Sequence, residues 1–500
     1  MRHVFAALAA AFLASAAPAT VVVDPFPPIR AGVTVGIERF VTVPASRAQR
    51  ARTGAQGLQG LADGSNRLFV HDTRGRIFVT TTAGGTPTPY LDLTTQNIGF
   101  ANTVNPTQTG LRDVAFHPNF GRDAGKPGYD VFYTIDTTAA SAGTPDWAPP
   151  AGPVSHHNVL REWTVRDPHA ATADILSTRE VTRLAQPFSD HGAGTIGFNM
   201  AAPESSPDYG KLYIGLGDGG GVNDPQDNAQ NLASPFGKIL RIDPVDPDGA
   251  GPLKYAIPGD NPFVGEAGAR GEVWAYGLRN PQHFSWDGTG RMLISDIGQA
   301  RIEEVNEGLA GANYGWPARE GSFSRSPDKS VSDIFLPPAN DALFTGPLAQ
   351  YDHEEIGRDG VSSLAGIGGA FLYEGSLLPA LTGKVVLGDL VAGRLFYFDR
   401  DAAGTTPAVL RELMLTLDGI STTLRQLEGY NSARRVDLRL GVDADGEMYL
   451  VTKGDGDIYR FVSTPVPEPA VWLTMIAGFG AIGLALRRRR PAMAGRGATC

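Results

Sequence analysis

Short strand-sized apolar runs, each bounded by Gly, Asp, Asn or Pro, recur along residues 33–462 with almost no helical periodicity between them. A hairpin at residues 66–70 and 75–79 has a counterpart near the other end, at 446–451 and 457–461. Similar paired runs lie at 129–135 with 159–165, 211–216 with 238–242, and 385–387 with 395–398, and a further run at 291–294. Hairpins whose first and last copies are alike predict an all-β ring of sheets, because a ring buries both faces of every sheet and leaves only short edges. The apolar fraction of 42% supplies a large core despite Gly 62 and Pro 37, so the chain is turn-rich and globular. Longer intervals at 84–119, 137–157, 217–236, 246–269 and 318–349 read as loops gathered on one face of the ring, where a site belongs.

The two ends read differently from this body. Residues 1–19 combine a basic start (Arg2, His3), an apolar stretch and small residues, the pattern of a secretory signal peptide cleaved after Ala17 or Ala19. After residue 462 come a Pro-rich linker, an uncharged apolar run at 470–486 of transmembrane type, and four arginines at 487–490 that would stay cytoplasmic. Membrane contact is therefore expected only through this tail. The net charge of −10 and the absence of another basic cluster argue against nucleic acid. Cys500 is the sole cysteine, so an intrachain disulfide and a multi-thiolate metal site are both excluded.

Chemistry concentrates in residues 190–244. His191 follows Asp190 and precedes Gly192, Ala193 and Gly194, where the backbone can approach a flat ligand and the imidazole is free to act as a base. On the residues alone this signal is weak, and the alternative reading is a turn histidine bonded to a backbone carbonyl. The acidic and amide residues at 218–231 look calcium-like but lack the EF-hand order, so hydrogen bonding within a tight loop is the expected job.

Several motifs occur in order: Gly110-Leu-Arg-Asp-Val-Ala-Phe-His-Pro-Asn-Phe120, the His191 stretch, Leu-Gly-Asp218-Gly-Gly, Trp274-Ala-Tyr-Gly-Leu-Arg279-Asn280-Pro, and Glu303-Glu304-Val-Asn with Tyr314-Gly-Trp-Pro317. Together they resemble the soluble aldose dehydrogenases dependent on pyrroloquinoline quinone (PQQ), the glucose/sorbosone dehydrogenase family, over roughly residues 57–461. The resemblance implies a six-bladed β-propeller at 33–462 that oxidises an aldose at its anomeric carbon to the lactone with PQQ and calcium. It makes His191 the base, places Arg279, Asn280 and Arg434 on the quinone, and gives Gly298 and Gln299 the catalytic ion through their carbonyls. Glu304 and the carbonyl of Tyr314 match a second, structural calcium site. PQQ is a tricarboxylate, so its site calls for guanidinium groups and a divalent cation. Two family cations are replaced here, by Val391 and Val436, with Arg435 and Arg439 close by, and Ala193 stands where a glycine is usual. The rival expectation is a non-catalytic surface propeller that binds exopolysaccharide or a protein partner. The electron acceptor is not legible.

The tail at 463–490 resembles the PEP-CTERM sorting signal of Gram-negative bacteria, carried by Val466-Pro467-Glu468-Pro469. It implies export to the periplasm, outer surface or extracellular matrix, with a C-terminal sorting enzyme as a partner. The expected outcome in such a host is loss of everything beyond the Pro467–Pro469 region. Intact-mass analysis of the mature protein checks this, and retention of Cys500 refutes it.

Overall fold

The computed structural model describes residues 20–46, 54–102, 104–105, 107–245, 254–328, 330–338, 343–357, 364–402, 407–429 and 435–464. The leader, the sorting tail and Arg434 lie outside the described residues. Among the described residues no helix is long and apolar enough to cross a membrane.

Antiparallel pairing sorts the strands into four-stranded meanders. The first contains Ala55–Gly60, Arg67–Asp72, Arg76–Thr81 and Thr88–Asp92; the second Asp113–Phe116, Val131–Ala139, His156–Val165 and Ile175–Gln186. Ala193–Phe198, Leu212–Leu216, Lys238–Ile242 and Val273–Tyr276 form the third. The fourth comprises Pro281–Trp286, Met292–Asp296, Ile302–Gly308 and Ala349–Asp352, and the fifth Ile367–Leu372, Lys384–Asp389, Leu395–Asp399 and Arg411–Leu417. In the last, Leu438–Val442, Met448–Thr452 and Asp457–Val462 come from the C-terminal part, and the outer strand is the early segment Arg30–Thr42.

The first strand of each meander packs against the first strand of the next. Ala55–Gly60 pairs in parallel with Leu438–Val442 on one side, and on the other Gln59 Nε2 donates to Val114 O at 2.6 Å. The circle of inner strands is thus closed, and the molecule is a β-propeller. Their approach is tight: a Cβ on Gly194 would sit 2.3 Å from Pro281 O.

Between meanders the faces are filled with aromatic and branched side chains. Phe69, Tyr90, Phe116, Phe132 and Trp163 form one such layer between the first and second, with the Trp163 indole N–H satisfied by Thr134 Oγ1 at 2.9 Å. Alternation along the strands places apolar residues on both faces, as the repeat requires.

Within the intervals expected to be loops, 84–119 holds strands Thr88–Asp92 and Asp113–Phe116, and 318–349 holds Arg319–Glu320, Phe323–Arg325 and Ile334–Phe335. Those last three join Val21–Val22 in a small sheet outside the ring. These strands are only two to five residues long, too short for an alternating pattern to register. Nor do all the loops share a face. Strand direction places 217–236 beside the start of the inner strands, whereas 254–269 follows the end of Lys238–Ile242 and lies on the opposite face.

Ring closure depends on Arg30–Thr42, whose Val35 and Ile37 enter the core beside Leu415 and Phe461. Ile37→Ala should lower the unfolding free energy by about 2–5 kcal/mol. Glu38→Ala removes only a half-exposed pair with Arg460 and should cost about 0–1 kcal/mol. Denaturant titration of the two variants checks the contrast.

Candidate active site

Hairpin register brings the first two functional groups together. Ala193 is paired with Leu216 across Ala193–Phe198 and Leu212–Leu216, so residues just before the first strand face residues just after the second. His191 and Asp218 occupy those positions, and His191 Nδ1 lies 2.8 Å from Asp218 Oδ1. Both are buried. A carboxylate only accepts, so Nδ1 is the donor in this pair, and the neutral ring that fits it presents the Nε2 lone pair. The partner is a carboxylate rather than the backbone carbonyl that the sequence left open. His191 holds φ +48°, a left-handed conformation that a non-glycine residue adopts only when its surroundings fix it.

Asp218 is fully engaged. Oδ1 also accepts from Gly220 N at 3.0 Å, and Oδ2 accepts from the Trp316 indole at 2.8 Å. Its own N–H donates to Arg279 O at 2.7 Å. The rest of the 218–231 loop braces itself, as expected: Asn228 Nδ2 donates to Asp218 O, and Lys238 Nζ donates to Asn228 O, Ala229 O and Phe236 O at 2.7–2.9 Å. Burial pushes the Lys238 ammonium down to about 7.

Arg279 and Asn280 lie in the next connection along the same face. Their N–H groups donate to the two Asp296 oxygens at 2.9 and 2.6 Å. The Arg279 guanidinium packs over Trp316, 5.6 Å from the ring centre, and donates to Ile297 O, Gly298 O and Gln299 Oε1 at 2.9, 2.6 and 3.3 Å. Gly298 is sterically obligatory, since a Cβ there would fall 1.7 Å from Ile302 O. Behind it, Glu320 Oε1 accepts the N–H groups of Ala300, Arg301 and Ile302 and so fixes the loop. His191, Arg279, Asn280, Gly298 and Gln299 therefore belong to one constellation, tied together by Asp218, Trp316 and Asp296.

Glu304 stands apart, one layer deeper, opposite Asp296 in the strand register. Burial and the Asp296 charge push its carboxyl up to about 8; Asp296 itself is pushed up to about 7, chiefly by burial. Glu304 Oε1 accepts from Asn306 Nδ2 at 3.0 Å, while Asn306 Oδ1 is buried with no partner. A buried carboxylate beside an orphaned amide oxygen fits a hard cation. Among the described residues no three His, Cys, Asp or Glu side chains converge as metal ligands, so such an ion would also need amide or carbonyl oxygens. Tyr314 is buried with its phenol donating to Glu307 O at 2.5 Å and accepting from Leu309 N. No hydrogen bond joins it to Glu304 among those described.

Val391 and Val436, where the resemblance calls for cations, are buried and joined by Val436 N to Val391 O at 3.0 Å. Arg435 pairs with Asp437 at 2.9 Å. Sequence reasoning missed Asp218 as the partner of His191, together with Trp316 and Asp296. Asp218 was accessible from hairpin register; Trp316 was not, because it reaches the site from an insertion in the fourth meander.

Comparison with known proteins bears on the family and the fold. A sequence profile of the Glucose / Sorbosone dehydrogenase family matches residues 55–460. The HIPL1 protein of Arabidopsis thaliana is 32% identical over 365 residues, covering 66% of this chain and 50% of that protein. The chain thus spans about half the length of that curated relative. Among solved structures, the apo-form soluble aldose sugar dehydrogenase of Escherichia coli superposes with a TM-score of 0.55 at 19% identity, over 86% of this chain and 100% of that one. The PQQ-bound aldose sugar dehydrogenase of Streptomyces coelicolor gives 0.54 at 20% identity, over 87% and 99%. At such identities the structures speak for the fold. The profile, spanning most of the ring, places the chain in the glucose/sorbosone dehydrogenase family.

Proposed function

We propose that this chain is an exported aldose dehydrogenase on a six-bladed propeller, oxidising the sugar at its anomeric carbon to the lactone with PQQ and calcium. The observation that carries the reading is the His191–Asp218 pair set beside Arg279 at the ring face. His191 Nε2 accepts the proton of the anomeric hydroxyl, and Asp218 steadies the imidazolium that forms. Bound PQQ supplies the two-electron acceptor for the hydride. Arg279 and Asn280 would hold the cofactor, and the family resemblance adds Arg434; Arg279 contributes charge against a carboxylate or quinone oxygen. Gly298 O accepts one hydrogen bond from Arg279 and keeps a second lone pair, so Gly298 and Gln299 would hold a catalytic ion through their carbonyls. Glu304, with the Tyr314 carbonyl, would hold a second ion that shapes the fold rather than the chemistry.

A second reading, a non-catalytic propeller that binds exopolysaccharide or a protein partner, is favoured by Val391 and Val436, which replace charge with apolar packing. Cofactor occupancy separates the two. Tight PQQ binding with sugar-dependent dye reduction supports the enzyme, and absence of PQQ binding supports the binder.

The roles differ in how they fail. His191→Ala should still bind PQQ yet lose about 10²–10⁴-fold in kcat. Asp218→Asn should also lower kcat, because an amide cannot accept from His191, Gly220 and Trp316 together, so the ring loses its fixed tautomer and part of its anchoring. Arg279→Ala should mainly weaken PQQ binding. PQQ titration against dye-linked aldose oxidation resolves all three, and wild-type turnover by His191→Ala refutes the mechanism.

Calcium makes an independent test. An ion bound only by the folded state stabilises by about 2.7 kcal/mol at a hundredfold excess over Kd. EDTA should therefore lower the melting temperature, and Glu304→Ala should blunt that response. Identical melts with and without chelator refute a structural ion.

A further inference from the structure

An axial cavity of about 460 Å³ runs through the ring between the inner strands. Its two ends carry opposite charge. At the end where the inner strands begin, beneath the His191 loop, it is lined by Arg112, Arg439, His71 and His283. At the far mouth, where those strands finish, it is lined by Asp287, Glu374 and Asp443.

The two arginines are the unusual feature. Arg112 is 2% exposed and Arg439 7%, and neither forms an ion pair with a carboxylate among the described residues. Arg112 donates to Ala193 O and Thr107 O at 3.3 and 3.2 Å, and reaches Gln282 Oε1 only at 3.5 Å. Arg439 donates to Leu438 O at 3.0 Å and reaches Gln56 Oε1 at 3.5 Å. The same Gln56 oxygen accepts from Lys453 Nζ at 3.2 Å. Two acids act at this end, and both are already engaged: Asp113 Oδ1 is held by Val114 N and Oδ2 by Thr195 Oγ1 and Ile196 N, while Asp437 pairs with Arg435 and is shared between Arg439 and Lys453. His283 Nδ1 is buried with no partner. Two buried guanidinium groups facing one cavity repel each other, and a buried charge persists only when it is compensated.

We infer that the Arg112–Arg439 end of the axial cavity is a binding site for a small oxyanion, a carboxylate or a phosphate, entering from the His191 face. The opposing charges at the far mouth repel anions and fix the side of entry. Burial, and the charge of Arg439 on Arg112, hold both guanidiniums down to about 10, so a bound anion raises them again. This site does not depend on PQQ or on sugar oxidation.

The test is thermal melting and calorimetry of the full chain titrated with sodium phosphate and, separately, sodium malonate, at ionic strength held constant with chloride. A saturable rise in melting temperature with at least one of them is expected; which one identifies the oxyanion class. Arg112→Gln and Arg439→Gln should each weaken that Kd by tenfold or more. Gln56→Glu provides a control that folding defects cannot mimic. It places a carboxylate beside Arg439 and Lys453, so it should raise the melting temperature without added anion and abolish the response to it. A response that is linear in concentration, or unchanged in Gln56→Glu, overturns the proposal.

Discussion

The Asp218 carboxylate is the contact on which the site depends. It accepts from His191, Gly220 and Trp316, while its backbone N–H reaches Arg279 O. The hairpin of His191 and the more distant segments of Arg279 and Trp316 are thereby anchored to one buried residue. In a low-dielectric setting such a carboxylate persists only if its lone pairs are filled, so each donor supports the others. The left-handed backbone of His191 follows from the same arrangement, since the ring must turn back across the hairpin to meet its acceptor.

Much of the fold was legible because hairpin spacing and β-rich composition describe local structure, and the alikeness of residues 66–79 and 446–461 pointed to closure. What spacing could not show was that Arg30–Thr42 completes the last sheet, a pairing over hundreds of residues that leaves no local trace. The face on which each loop lies was also hidden, as it depends on strand direction rather than loop length. At the site, motif matches located His191, Arg279, Asn280, Gly298 and Gln299, which the fold does bring together. They did not reveal Asp218, whose glycine-rich neighbours made it look like loop structure, or Trp316, which arrives from an insertion.

Charge is distributed differently from what motif matching alone suggests. Val391 and Val436 are buried and joined by a backbone hydrogen bond, whereas Arg112 and Arg439 line the axial cavity and Lys453 is buried beside Gln56. Electrostatic attraction for anions is therefore directed inward, along the cavity, with Asp287, Glu374 and Asp443 at the other end. A propeller suits this arrangement because inner strands that all start on one face sort side chains by depth.

Closure by an early strand also shapes how the chain comes into being. Asp457–Val462 is nearly the last part of the ring to be made, yet its partner, Arg30–Thr42, is among the first. Until the C-terminal strands emerge, that early segment can find only the edge of Arg411–Leu417, the parallel partner that itself appears late. The first-made strand must wait unpaired through most of synthesis, and a chain interrupted before residue 457 has an open seam whose exposed edge invites other strands.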